Sequence, residues 1–176
     1  MSLDINSKEI MEKENRYYFF IGDLIEHKKY VLECSKVMAM KLHAEGKEAE
    51  AKVLLKRAFC HDDSKIDDDE MESFLELKVK NKCFKNANSC LNDYEKQRIA
   101  VHWNKNRHHP EFFSNVRDMT DMDIMEMVCD WAARSKQYGT DLVDFAITRQ
   151  ANRFHFPEEM FEKILELCTY MAEHMT

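Results

Sequence analysis

The sequence predicts an all-α fold, a single-domain helical bundle of six to eight helices. Only three Gly and two Pro occur among 176 residues, and so little chain punctuation favours long helices over many short strands. A hydrophobic content of 44% suits one domain with its own core over residues 1–176. Apolar residues also recur at helical spacing, as on the stripe formed by Leu24, Val31, Cys34, Met38 and Leu42.

Helices can be placed in order from these stripes and from local start and stop signals. They are expected at residues 7–20, 23–44, 47–60, 92–107, 121–138, 141–153 and 157–174, with one more that begins at Asp67 and ends before a loop at 80–91. Gly46 and Gly139 follow two helices as C-terminal stops, and Pro157 stands at the first position of the last helix. We expect residues 23–135 to form the core with the site, and the helices at about 141–174 to cover it.

Composition excludes several classes of function. The formal net charge of −7 argues against binding to a nucleic-acid polymer or an anionic membrane surface. No apolar run is long enough to span a bilayer, and the polar, acidic first residues are unlike a signal peptide. The six cysteines form no CxxC pair, which indicates reduced, mostly buried thiols and a cytoplasmic protein.

Polar residues interrupt the inward faces of several predicted helices. These residues are His27, His61 with Asp62, His102, His108, His109 and Asp130. A buried imidazole or carboxylate is costly unless another group satisfies it. Any single histidine here is explained as a core residue hydrogen-bonded to a backbone carbonyl. The whole set, contributed by four helices, favours a metal site, because helical bundles build such sites from facing side chains.

The order His27, His61-Asp62 and Asp130 resembles the HD-domain metal-dependent phosphohydrolase superfamily. In that pattern a histidine on an early helix precedes an adjacent His-Asp pair and a distant aspartate, and dinuclear members add histidines between, here His102 with His108 or His109. The stretch 61–65 is similar to the HD-x-G-K form of cyclic-di-nucleotide phosphodiesterases, with Ser64 in place of glycine and without their GYP loop. With residues 102–111, it also resembles a small uncharacterised bacterial and phage family of HD-like proteins.

The resemblance, over about residues 23–135, implies a metal-dependent phosphohydrolase acting on a nucleotide or another small phosphate ester. Imidazole and carboxylate ligands suit Mn, Fe, Co, Ni or Zn better than Ca or Mg. Such an ion lowers the pKa of bound water and creates a nucleophile near neutral pH. Asp62 and Lys65 are the candidate catalytic residues, and Lys65 would neutralise a phosphate oxygen unless it is a solvated helix-end lysine. Lys105 and Arg107 are further candidates for phosphate contact.

Two metal ions are predicted, bridged by the two oxygens of Asp62. His27, His61 and Asp130 complete the first site. His102, with one or both of His108 and His109, completes the second. The alternative is one ion, with these histidines binding phosphate at the rim. Glu126, one turn before Asp130, would orient a ligand histidine or be a surface acid.

Two other functions remain open on the sequence. An HD-type di-iron oxygenase resembles the phosphohydrolases in fold and uses four histidines and two aspartates, a count that this set also supplies. A helical metal-binding protein without catalytic activity is the third. His43, His155 and His174 are expected to take no part in the site.

Overall fold

The computed structural model describes residues 5–83 and 92–175, and no strand occurs within these ranges. The predicted all-α class is therefore confirmed. The helices are α1 (Ile5–Ala44), α2 (Glu48–Phe59), α3 (Asp68–Cys83), α4 (Asp93–Lys105), α5 (Asp121–Tyr138), α6 (Leu142–Phe145), α7 (Ala151–Phe154) and α8 (Glu158–His174). A π-helical turn at Ala146–Gln150 joins α6 to α7. Across the described ranges, no helix combines the length and the apolar character that a membrane span requires.

Several predicted boundaries differ from the observed ones. One helix, α1, replaces the two predicted at 7–20 and 23–44, because a single glycine such as Gly22 costs a helix only about 1 kcal/mol. Helix α3 continues to Cys83 and so includes the first residues of the loop predicted at 80–91. The rest of that predicted loop, residues 84–91, lies outside the described residues. Helix α4 ends at Lys105, two residues early. Pro157 is the N-cap of α8 and not its first residue.

The chain forms two compact units. The first unit comprises Met1–Glu26 and Asp63–His102, and the second comprises His27–Asp62 and Trp103–Thr176. The prediction of one domain stays a prediction. In the first unit, the rings of Phe20 and Phe74 stack with centroids 6.4 Å apart. The ring of His102 packs edge-on against Phe74 at 5.2 Å.

The core of the second unit is built around α5. Eleven of its residues are buried. The apolar ones form one core with apolar side chains of α1, α2 and α8: Val31, Met38, Leu42, Leu54, Ile164 and Met171. Both ends of α5 follow the predicted signals. Thr120 and Asp123 form a reciprocal capping box at its start, and Gly139 ends it with a positive φ of 65°. Because both ends are fixed, the positions of Glu126 and Asp130 on α5 are also fixed.

Four cysteines are free thiols: Cys34, Cys60, Cys129 and Cys168. Cys34, Cys129 and Cys168 are buried, as predicted, whereas Cys60 is exposed at the end of α2. Burial raises the pKa of Cys34 and of Cys168 to about 12. The two buried thiols are therefore protonated at neutral pH, and they act as core residues rather than as thiolate ligands.

Candidate metal centre

His27, on α1, is fully buried. Its Nε2 lies 2.9 Å from Oδ1 of Asp130 and 3.7 Å from Oδ2 of Asp62. Neither of its ring nitrogens makes a hydrogen bond within the described part of the chain, so the short contact to Asp130 lacks hydrogen-bond geometry. Burial lowers the pKa of His27 to about 4, against the opposing effect of the Asp130 carboxylate. The imidazole is therefore neutral at pH 7, which is the form that binds a metal ion.

His61 and Asp62 lie in the turn that follows α2, and both are buried. Asp62 has a φ of 60°, a left-handed conformation that is uncommon outside glycine and is best tolerated by Asn and Asp. This conformation lets two consecutive side chains face the same interior. Nε2 of His61 lies 3.5 Å from Oδ2 of Asp62 and 3.6 Å from Oδ1 of Asp130.

The structure therefore brings four of the predicted ligands together. One nitrogen or oxygen each from His27, His61 and Asp130 lies within 4.8 Å of the others, a spacing that can hold a metal ion, and Oδ2 of Asp62 faces both histidines. Neither ring nitrogen of His27 or His61 has a hydrogen-bond partner within the described ranges. A buried polar atom without a partner costs about 1–3 kcal/mol, and a bound cation would remove that cost. The donor set thus fits a divalent transition metal.

His108 reaches the other side of Asp62. It is buried, and its Nε2 lies 3.5 Å from Oδ1 of Asp62. His109 lies beyond the end of α4 and has an extended backbone, as the residue before Pro110 prefers. His109 instead packs its ring 4.2 Å from that of His108.

Glu126 on α5 lies behind two of these histidines. It is 5% exposed, so the prediction that it is a surface acid is wrong. Its Oε1 lies 3.5 Å from Nδ1 of His61 and 3.5 Å from Nδ1 of His108, and its Oε2 lies 2.6 Å from Nε of Arg57. Burial opposes its charge, but His108, His61 and Arg57 hold the pKa of Glu126 well below its usual range.

The charges of the cluster favour a cation. Burial raises the pKa of Asp130, yet His27 and His61 outweigh it and hold that pKa well below the usual range. Burial also disfavours the charged form of His61, but Asp62, Asp130 and Glu126 raise its pKa to about 10. Asp130 and Glu126 are thus ionised at pH 7, and His61 holds a proton that a metal ion would displace.

Comparison with known proteins places the chain in a family. A family model described as "Family of unknown function (DUF5662)" matches residues 16–171. The chain belongs to this family. No curated protein and no solved structure matches the chain significantly. The match contains every residue of the candidate centre, and the resemblance to the HD-domain superfamily stays a prediction.

Two predicted site residues, His102 and Lys65, lie in the first unit. His102 is buried, and its Nδ1–H donates to Oε2 of Glu70 at 2.8 Å. Ser64 Oγ–H donates to the same oxygen at 3.0 Å. Lys65 is also buried, with Nζ 5.1 Å above the ring of Phe74, so its interpretation as a solvated helix-end lysine is wrong. Their predicted roles, in the second metal site and in phosphate binding, stay predictions.

Sequence reasoning missed the charged residues that support the centre. Arg57 donates to Oδ1 of Asp123 at 2.8 Å, and Arg107 donates to both oxygens of Asp123 at 3.1 and 2.9 Å. Arg107, a candidate for phosphate contact, is therefore paired with a buried carboxylate. In the first unit, Glu70 is completely buried against His102. The pairs Arg57–Asp123 and Glu70–His102 join distant parts of the chain, so no local pattern marked them.

Proposed function

We propose that this protein is a metal-dependent phosphohydrolase that acts on a nucleotide or another small phosphate ester through a metal-activated water. One observation carries the proposal: the two oxygens of Asp62 face different buried histidines. Oδ2 lies 3.7 Å from His27 and 3.5 Å from His61, whereas Oδ1 lies 3.5 Å from His108. A carboxylate with imidazoles on both sides is arranged to bridge two ions.

Each ion would have its own set of ligands. The first would be held by Nε2 of His27 and of His61, by Oδ2 of Asp62 and by Oδ1 of Asp130. The second would be held by Oδ1 of Asp62 and Nε2 of His108, with His109 beside it. Asp62 and Asp130, together with Glu126 behind the histidines, would offset part of the charge of two divalent ions.

Bound ions of this kind polarise phosphate oxygens and lower the pKa of a bound water to near neutrality. The protein residues would hold the ions and set the local charge. Because their pKa values are held low, the carboxyls of Asp130 and Glu126 stay ionised. They therefore cannot serve as proton donors to a leaving alcohol at neutral pH. Asp130 has 15% of its side chain exposed, so an ion bound to it would be within reach of water.

The histidine content also supports a second candidate, an HD-type di-iron oxygenase. An enzyme of that type uses four histidines and two aspartates. The second unit alone supplies this number, with His27, His61, His108, His109, Asp62 and Asp130. Phosphate ester hydrolysis and oxygen consumption distinguish the two candidates directly.

The test begins with chelator-treated protein reconstituted separately with Mn, Co, Ni, Zn and, without oxygen, Fe. We expect two equivalents per chain and slow hydrolysis of a generic phosphate ester with Mn, Co or Ni. Asp62→Asn should abolish turnover. His174→Ala, at an exposed histidine whose Nδ1–H donates to the Tyr170 carbonyl, should leave it unchanged. Iron-dependent oxygen consumption with no phosphate release would support the oxygenase, and tight metal binding without either activity would indicate a binding protein. Protein that binds none of these metals would overturn the proposal.

A further inference from the structure

Glu126 is the buried acid of the centre that the proposed ligand sets leave out. It lies on α5 one turn before Asp130, so one helix face presents both carboxylates to the same interior. Its two oxygens have different partners. Oε1 faces the Nδ1 atoms of two histidines, and Oε2 faces the guanidinium of Arg57.

We propose that Glu126 is a positioning residue that aims both His61 and His108 at the metal ions through their Nδ1 atoms. The proposal rests on the proposed metal centre and adds one residue that serves both ions. When Nδ1–H of an imidazole donates a hydrogen bond to an acceptor, the ring keeps its proton on Nδ1, and the lone pair of Nε2 can bind a metal. Nε2 of His61 and Nε2 of His108 each lie 3.5 Å from a different oxygen of Asp62. One acceptor therefore sets the same tautomer for a ligand of each ion.

The two contacts to Oε1 of Glu126 are each 3.5 Å long, at the outer limit of a hydrogen bond, and the contact to Nδ1 of His61 lacks hydrogen-bond geometry. Contacts around a catalytic or metal site commonly tighten when the ligand is bound. Because both Nδ1 atoms are at the same distance from one oxygen, a small shift of Glu126 can shorten either contact. Glu126 is therefore placed to stabilise His61 and His108 together.

The alternative role for Glu126 is that of a metal ligand, because one atom each from His61, His108 and Glu126 lies within 4.8 Å of the others. Two observations favour the positioning role. The Arg57 cation already lies 2.6 Å from Oε2, so a second cation on the same carboxylate would be repelled. An ion bound to both Nδ1 atoms would also leave neutral His61 and His108 with Nε2 protons and remove them from the Asp62 site.

Arg57 fixes the position of Glu126. Its Nε contacts Glu126, and its Nη2 donates to Oδ1 of Asp123 at 2.8 Å. Asp123 is itself fully buried and held by Arg107. Since Asp123 and Glu126 are three residues apart on α5, they lie on the same helix face, and Arg57 of α2 spans both.

The first experiment measures zinc affinity by competition with a chromophoric chelator, using the full chain. We expect Glu126→Ala to weaken both zinc equivalents by about 10- to 100-fold. Glu126→Gln keeps a carbonyl oxygen as an acceptor and should weaken them less, which a purely structural role would not predict. Glu159→Ala, at an exposed glutamate of α8, is the matched control and should bind as the wild type does.

A loss confined to one equivalent, or wild-type affinity in a folded Glu126→Ala, would overturn the proposal. If the wild type still binds two equivalents of zinc, either of these outcomes would leave the proposed metal centre unaffected. A wild type that binds no zinc would overturn both.

The second experiment does not depend on how the alanine variant folds. Long-range nitrogen–proton NMR of the zinc-loaded wild type identifies which ring nitrogen of each histidine carries a proton. We expect a proton on Nδ1 and zinc on Nε2 for both His61 and His108. Zinc on Nδ1 of either histidine would overturn the proposal and make Glu126 a ligand.

Discussion

Replacing Asp123 with asparagine would remove one buried negative charge while keeping the shape of the side chain. Asp123 accepts hydrogen bonds from Arg57, from Arg107 and from both the backbone N–H and the hydroxyl of Thr120. The asparagine oxygen can still accept from Thr120, so the helix cap is largely retained. The substitution therefore isolates the two ion pairs.

The magnitude follows from the pKa of Asp123. Burial raises this pKa, but Arg107, Thr120 and Arg57 outweigh it and lower it from 3.8 to about 2. This lowering corresponds to roughly 2.5 kcal/mol of folding free energy. Because Arg107 is 45% exposed, water screens part of its contribution, which leaves about 2 kcal/mol. In a chain of this length that is a fall of about 4–8 °C in Tm.

The sign of the pH dependence is also fixed. The carboxyl has a lower pKa in the folded than in the unfolded state, so its contribution is present above about pH 4 and is lost between about pH 4 and pH 2. Urea unfolding of chelator-treated protein should show Asp123→Asn less stable at pH 7, with the gap reduced by about half at pH 3. Asp121→Asn, at an exposed position of the same helix, should change stability by less than about 1 kcal/mol. Equal urea midpoints at pH 7, or a gap that does not narrow at pH 3, would refute the reasoning.

The remaining predictions concern proton release and two glycines. Zinc should displace the His61 proton, because the pKa of His61 in the metal-free protein is about 10. Zinc affinity should therefore rise with pH, and about one proton should leave per chain at pH 7. Calorimetry in two buffers of different ionisation enthalpy measures the number of protons released, and zero release would contradict the prediction. Gly22→Ala should stabilise α1 by about 0.5–1 kcal/mol, since an added Cβ meets nothing within 4 Å. Gly139→Ala should destabilise the folded protein by about 1–2 kcal/mol, because the φ of Gly139 is positive. Urea midpoints that move in the same direction for both glycine variants would contradict these two predictions.

The elements that sequence predicts well carry their own local signals. Helix α5 begins and ends as predicted because Thr120 provides an N-cap and Gly139 adopts a left-handed conformation. The predicted gap in α1 had no such signal, since Gly22 has neither a cap before it nor a proline after it. His27 was found because it interrupts an apolar stripe, and its complete burial agrees with that interpretation.

Other features of the centre depend on contacts between distant residues. The left-handed φ of Asp62 gives the turn its shape, yet many residue types can follow a helix end, and the sequence does not specify this φ. In the first unit, Glu70 lies near the start of α3, yet tertiary packing buries it against His102. Likewise, Arg57 looks like an exposed helix residue until α5 brings Glu126 and Asp123 to it. Local pattern indicates the candidate ligands, whereas the charged residues that contact them become apparent only from the packing of helices.

Anomalous diffraction from crystals grown with manganese tests the central claim most directly, because it locates each ion relative to Asp62. We predict two peaks, about 3.5–4 Å apart as in other two-metal sites. One should lie among His27, His61 and Asp130, and the other beside His108, with Asp62 contacting both. No peak at these residues, or ions that do not contact Asp62, would contradict the account.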